Sequence, residues 1–437
     1  MSVGVTTAIL FALLVLFLAL GVPLSFCLGG VAIIIILWQI GPSFLPVLAM
    51  TAFTDWTNFL LIAVPLFILM ANLLEISGIA EDLYAMMYKW MGGIRGGLAS
   101  GTVVICAIFA AMAGISAVAT VTMGLIALPS MLKRNYSKLL AVGTISAGGT
   151  LGILIPPSVI MILYASLTGE SVGRLFMGGI FPGIVLAAIF ILYIQIRALI
   201  QPGIAPAVPE EERATFREKL AASRSLVMPV LLIGLVLGVI YTGICTPTEA
   251  SGIGAFGALI CVIAHRRFTW RFFWTALVRT FSLSAMIMWI VLGAKCFSHA
   301  YHVIGAPDLV MGFISGLEVN RWVMMIVMQG ILIVLGCFLD PMGIMLICTP
   351  VFLPIVEALG FSLLWFGILF TINMELGYIT PPFGFNLFYM RSIVPKEITM
   401  GDIYRSIIPF VILMVLGLGI VMVFPQLALW LPNTMIR

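Results

Sequence analysis

Two proline pairs, Pro156-Pro157 and Pro381-Pro382, interrupt stretches of chain that are otherwise apolar enough to cross a membrane. They lie 225 positions apart, and at that offset Leu128-Pro129 falls on Leu353-Pro354, Gly152 on Gly377 and Tyr164 on Tyr389. This is a weak internal repeat whose best-matched positions are helix breakers. Proline removes a backbone donor and frees carbonyls on the preceding turn. In lipid such groups find no water, so a broken helix persists only where protein or a polar cavity satisfies it. Interruptions at corresponding places in two hydrophobic halves point to a binding site near the bilayer midplane.

The rest of the chain agrees with a bilayer as solvent. Of 437 residues 62% are hydrophobic and 9% charged, with a mean hydropathy of +1.24. Apolar runs recur without period-two alternation, which predicts helices and excludes a barrel. The net charge is only +4, and no basic cluster implies nucleic acid. The seven cysteines lie unpaired in apolar stretches and read as small buried hydrophobes. Residues 5–20 lack a basic flank and a cleavage site, so a retained span is expected there rather than a signal peptide.

Charge placement predicts the topology. Lys89–Arg95, Lys133-Arg134 with Lys138, Arg197–Arg224, Arg266-Arg267 with Arg271, and Arg391 to Arg405 are all expected on the cytoplasmic side. Segment 98–131 then leaves and re-enters the same face as a re-entrant hairpin, and 139–168 crosses through Pro156-Pro157. Segment 322–358 is a second hairpin entering from the other face, and 361–390 crosses through Pro381-Pro382. With Arg279 in the first turns of the span that follows Arg271, this arrangement places 17 of the 21 Lys and Arg, leaving Arg174, Lys295, Arg321 and Arg437 outside the rule, with both termini periplasmic.

The expected fold class is therefore an all-α polytopic membrane protein with inverted-topology repeats, two re-entrant hairpins and two broken helices. Residues 1–57 supply N-terminal scaffold helices, 58–201 the first repeat, 225–272 further scaffold and 273–437 the second repeat. Between them, 202–224 is a cytoplasmic linker with three prolines, three glutamates and a basic amphipathic stretch, read as an interfacial helix.

The breaks carry the candidate chemistry. A helix restarting near Ser116, after Gly114, would aim unpaired amides at the midplane and suit a carboxylate, while the carbonyls ending the preceding arm suit a cation. Facing it, Thr144 to Ser158 offers glycines, hydroxyls and freed carbonyls, the oxygens that hard cations take. Gly114, Ser116, Thr150, Gly152 and Pro156 are the cation candidates here, and Ser116 and Ser158 are substrate candidates. The plainer alternative is small-residue packing with kinks.

The second tip contains Asp340-Pro341. A carboxylate far from any charged loop is a functional candidate. Its competing roles are cation ligand, cap of a helix starting at Pro341, and proton carrier. Asp340, Gly377, Thr380 and Pro381 are the cation candidates of this half, and Gly384 and Asn386 substrate candidates. Asn386 has neighbouring backbone as its alternative partner. Glu375 reads first as a structural carboxylate bonded to a neighbouring helix. Lys295, with His299 and His302 near it, either attracts an anion or snorkels to the interface. No phosphate-binding loop, zinc motif, C-x-x-C pair or nucleophile elbow occurs, and no enzyme activity is expected.

At these motifs the chain resembles the large membrane (M) subunit of the TRAP, or tripartite ATP-independent periplasmic, transporters. The resemblance runs over the whole length. It rests on Val64-Pro65-Leu66-Phe67 through Ser77-Gly78-Ile79, Gly114-Ile115-Ser116-Ala117-Val118-Ala119, and Gly152-Ile153-Leu154-Ile155-Pro156-Pro157-Ser158. The second half adds Phe338-Leu339-Asp340-Pro341 and Ile379-Thr380-Pro381-Pro382-Phe383-Gly384-Phe385-Asn386. Ile115 departs from the pattern, since many members carry a second serine or a glycine-serine pair at that tip. The resemblance implies an elevator-type carrier in the bacterial inner membrane. It would import an organic acid with Na+, the cation sitting between each hairpin tip and its broken helix. It also implies a small four-helix Q subunit and a periplasmic substrate-binding P protein. The rival readings are an autonomous ion-coupled carboxylate carrier or exchanger and, more remotely, an intramembrane enzyme or scaffold.

Overall fold

The computed structural model describes residues 2–315 and 319–435. Every regular element among them is helical, and seven helices are long and apolar enough to cross a bilayer. The longest are Val172–Ile200 and Trp270–Val303.

Both hairpins form. The first pairs Gly97–Ala113 with Ser116–Lys133 across the two-residue turn Gly114-Ile115. The second pairs Arg321–Gly336 with Pro341–Ala358 across Cys337–Asp340. The inbound arms have 17 and 16 residues, about 25 Å of helix, which is short for a full crossing. The return arms start and end at the same offset of 225. The first broken helix is Lys138–Thr150 with a short 3₁₀ turn, Leu151–Ile153, and then Val159–Thr168. The second is Leu363–Ile379 followed by Phe385–Ile393. Both proline pairs contain a cis peptide bond.

Contacts between the halves fix their relative direction. At one end Lys138 Nζ lies 2.9 Å from Asp402 Oδ2, so the start of the first broken helix meets the segment after the second. At the other, Tyr164 donates to the Leu363 carbonyl at 2.8 Å, so the end of the first meets the start of the second. The two broken helices therefore run antiparallel. Each hairpin has its mouth at the starting end of its own broken helix, so the hairpins enter from opposite ends, as an inverted repeat requires.

The linker is a strap as well as a connection. Gly96 donates its amide to Ala205 at 2.9 Å, Ser137 to Ile204 at 2.8 Å, and Val208 to Gly92 at 2.8 Å. Both ends of the first hairpin are thereby tied to one short run of backbone. The Arg134 guanidinium pairs with Glu212 beyond it. Only Phe216–Ala222 of the expected amphipathic stretch is α-helical, started by a capping box of Thr215 and Glu218.

Four helices were not anticipated: Leu45–Trp56, Ile79–Met91, Ala306–Ser315 and Gln426–Asn433. Ile79–Met91 occupies a region read from its charges as a connection. Gly78, at φ 82°, separates it from Ala63–Ile76, and Glu81 and Asp82 in its first turn with Lys89 in its last match the helix dipole. Its Trp90 indole donates to the Lys219 carbonyl at 3.1 Å, tying this arm to the strap helix.

Packing among the described residues divides into one large core through both repeats and two smaller ones. The larger of these two joins Val3–Ala19, Leu24–Gln39 and Trp270–Val303, for example through Leu10, Val31 and Phe297, and reaches Leu346 and Ile347 of the second hairpin.

Candidate cation and substrate site

At the first tip the backbones of hairpin and break touch. Gly114 has φ +65°, and a Cβ there would lie 2.5 Å from the Pro157 carbonyl oxygen. A Cβ on Gly152 would lie 3.2 Å from the carbonyl carbon and oxygen of Ile115. Glycine is required at 114 by both conformation and space. Lower down, Gly149 leaves room for the Thr120 hydroxyl against its helix. The expected restart of the helix at Ser116 is observed, with Ile115 as its N-cap and no side-chain cap bond. Its first amides thus lack the acceptor that Ser, Thr, Asn or Asp would supply at that position.

Ser116 and Asn386 meet at this tip. The Asn386 amide donates to Ser116 Oγ at 2.8 Å and to the Ser146 carbonyl at 3.2 Å. Both side chains are fully buried. Asn386 thus takes the backbone partner weighed for it as well as a hydroxyl. Ser158 caps its own helix by accepting from the Met161 amide at 3.4 Å, and its hydroxyl donates to Ile153. Thr150 donates to the Ala147 carbonyl at 2.7 Å, leaving its oxygen lone pairs free to accept. Pro156 is buried beside them, within the break.

The second tip repeats the close approach. A Cβ on Gly336 would lie 3.0 Å from Gly377 Cα, and the Phe383 amide donates to the Cys337 carbonyl at 3.3 Å. Thr380 ends its helix and donates to Leu376 at 2.6 Å. Pro381 follows it in the break, and Gly384, at φ 38°, starts the next helix. Asp340 is the N-cap of Pro341–Ala358, accepting from the Gly343 amide at 3.0 Å. One carboxylate oxygen is therefore committed to the cap. The two tips differ in this respect: the second return helix carries a carboxyl group at its N-terminus and the first does not.

One reading changes. Glu375 is fully buried, and neither carboxylate oxygen has a hydrogen-bond partner, so the expected bond to a neighbouring helix is not formed. Its neighbour Asn373 makes that kind of bond, donating to Gln329 Oε1 at 2.9 Å. Lys295 donates to the Ser166 carbonyl at 3.1 Å near the end of Val159–Thr168, where a cation suits the helix terminus. His302 bonds back to the Ser298 carbonyl at 2.7 Å, while His299 stacks on Phe44.

Sequence reasoning did not single out Thr120, Thr144 and Ser146. Their hydroxyls are buried without hydrogen-bond partners on the two helices that meet at the first tip. Their signal was the density of Ser, Thr and Gly in those helices, but small-residue packing gives the same pattern. A cavity of about 60 Å³, the room of about two waters, lies between the tips. Gly114, Ile115 and Ile153 line it from the first half, Met342 and Tyr378 from the second, and Ile287 from Trp270–Val303.

Comparison with known proteins agrees with this architecture. Residues 11–427 match the family described as tripartite ATP-independent periplasmic transporter, DctM component. The C4-dicarboxylate TRAP transporter large permease protein DctM of Pseudomonas aeruginosa is 34% identical over 88% of this chain and 89% of its own. The ectoine TRAP transporter large permease protein TeaC of Halomonas elongata is 31% identical over 86% and 87%. The isethionate TRAP transporter permease protein DctMQ of Oleidesulfovibrio alaskensis is 30% identical over 97% of this chain and 66% of its own. Among solved structures, the YdaH transporter of Alcanivorax borkumensis shares the fold, with a TM-score of 0.62 at 16% identity over 89% of this chain and 91% of its own. With its paired tips and breaks, the chain belongs to the DctM family, the large permease component of tripartite ATP-independent periplasmic transporters.

Proposed function

We propose that this permease imports an organic anion across the bacterial inner membrane by coupling it to Na+. The observation that carries the reading is the convergence of two tip–break pairs through Ser116 and Asn386. Uncapped amides at the first return helix offer donors to an acid group. Carbonyls and hydroxyls at the breaks, with the remaining oxygen of Asp340, offer ligands to a hard cation. The similar permeases are named for C4-dicarboxylate, isethionate and ectoine, compounds that each carry an acid group. The precise acid is set elsewhere, in a periplasmic binding protein that delivers it. A small Q subunit completes the membrane part, consistent with the relative named DctMQ.

In the mechanism, cation binding draws each tip onto its break and assembles the acceptor for the anion between them. Substrate and cation then favour each other's bound state by the same free energy. The hairpins and broken helices move as one body against the scaffold of Val3–Ala19, Leu24–Gln39 and Trp270–Val303. The larger of the two smaller cores lies along that boundary. The test is uptake into vesicles holding the permease with its partners, against imposed gradients. Uptake is expected to follow the sodium gradient. Uptake indifferent to sodium but driven by a proton gradient overturns the coupling.

A further inference from the structure

Arg174 stands outside the positive-inside pattern, and the transport reading gives it no task. It is exposed at the start of Val172–Ile200 and makes no ion pair among the described residues. Its guanidinium donates to Asn433 Oδ1 at 3.2 Å, at the end of helix Gln426–Asn433. Directly along the same helix face, at spacings of seven and eleven residues, come Phe181 and Val185. These two line a groove of about 730 Å³ with Ile420, Phe424, Leu427 and Trp430, and Gln426 is its one polar lining residue. Phe424 and Trp430 are 61% and 54% exposed, so the groove is open along its length. Phe181 and Trp430 meet edge to face across it at 5.5 Å. The feature is thus a largely apolar groove with Arg174, a cation without an ion pair among the described residues, seven residues beyond Phe181 on the same helix face.

We propose that this groove is a site for an anionic phospholipid, its phosphate against Arg174 and one acyl chain along Phe181, Val185 and Phe424. The charge at one end and the apolar lining below match a phosphodiester above a hydrocarbon chain. An apolar partner helix supplies no charge to meet Arg174. The groove also belongs to the part of the molecule that carries the transport site. A Cβ on Gly179 would meet the Leu154 carbonyl oxygen at 2.4 Å, and the Trp365 indole donates to the Val421 carbonyl at 3.1 Å. The lipid therefore sits on helices that pack directly on both broken helices.

The test uses phospholipids brominated on the acyl chain, which quench nearby tryptophan. The full chain is reconstituted alone and with its co-purified membrane partner, and the signal of Trp430 is taken as the difference from Trp430→Phe. Brominated phosphatidylglycerol is expected to quench Trp430 with about fivefold higher apparent affinity than brominated phosphatidylcholine. The preference is expected to vanish in Arg174→Gln and persist in Arg174→Lys. Equal quenching by the two headgroups in the unsubstituted chain overturns the proposal. A preference unchanged in Arg174→Gln also overturns it. So does loss of quenching once the membrane partner is present, which would show the groove covered by protein.

Discussion

Ser116 and Asn386, 270 residues apart in sequence, are bonded to each other in the fully buried centre of the molecule. One begins the return arm of the first hairpin, and the other lies in the first turn after the second break. The bond therefore ties the halves of an inverted repeat at the point where their helices are interrupted. Removing either partner leaves the other buried without it, at a cost of about 1–3 kcal/mol. Ser116→Ala and Asn386→Ala are each expected to lower stability by that amount. The double variant is expected to cost less than the sum, by about 1 kcal/mol. Denaturation of the four purified proteins checks this, and strict additivity would mean the contact carries no coupling.

Gly114 tests the contact of tip and break. In Gly114→Ala the new methyl would lie 2.5 Å from the Pro157 oxygen in a backbone conformation that already disfavours it. The tip must withdraw, and uptake is expected to fall at least about tenfold, since small misplacements are costly at such sites. Gly169 is the control, having φ +75° with nothing within 4 Å. Gly169→Ala is expected to cost about 1 kcal/mol of stability through its backbone alone and to keep transport. Equal uptake by Gly114→Ala and the parent protein would remove the tip contact from the mechanism.

These two sites also show what the sequence could and could not disclose. The helix start after Gly114 was legible because a glycine turn is a local signal, and the cap at Asp340-Pro341 because capping chemistry is local. The breaks were legible because proline pairs in apolar chain have few other readings. The pairing of Ser116 with Asn386 was not, because nothing local specifies a contact across 270 residues. Nor was the isolation of Glu375, since a mid-helix carboxylate looks the same in sequence whether or not a partner helix reaches it. Ile79–Met91 was hidden by its charges: half of it faces the core and half does not, and the charged half dominated the reading.

Asp340 separates capping from ion binding. Asparagine caps a helix about as well as aspartate but has no charge. Asp340→Asn is therefore expected to keep the stability of the parent to within about 0.5 kcal/mol. Its half-saturating sodium concentration is expected to rise about tenfold or more, the equivalent of about 1.4 kcal/mol. Asp340→Ala is expected to lose both. Glu357→Gln, at the far end of the same helix, is expected to change neither. Sodium titrations of uptake beside denaturation curves decide it, and an Asp340→Asn protein with parental sodium dependence would leave the residue as a cap only.

The hairpin geometry fixes which loops share a side. The linker binds Gly96 and Ser137 at the two ends of the first hairpin, so the flanking Lys89 and Lys133 lie on one side of the membrane. Arg174 and Arg321 belong to the opposite end. Lys89→Cys and Lys133→Cys are expected to react with an impermeant thiol reagent only from the cytoplasm. Arg174→Cys and Arg321→Cys are expected to react only from the periplasm. Labelling of Lys89→Cys and Lys133→Cys from different sides would mean the hairpin crosses fully.

The strap has its own pH dependence. The Glu212 carboxyl is held below the usual glutamate range, chiefly by its hydrogen bond with Arg134. A carboxylate with a depressed folded value contributes stability above its unfolded value, and loses it as pH falls through the folded one. Clamping by this pair is therefore complete at neutral pH and fails only in acid. The exposed position makes the pair a weak contributor to global stability. Its effect is expected locally, in exchange of the Gly96, Ser137 and Val208 amides, whose acceptors lie in or beside the strap. Glu212→Gln is expected to speed exchange of these amides at pH 7 about twofold to fivefold. The difference from the parent is expected to shrink as pH falls below the carboxylate range. An exchange difference that stays constant into acid would show that the charge pair does not hold the strap.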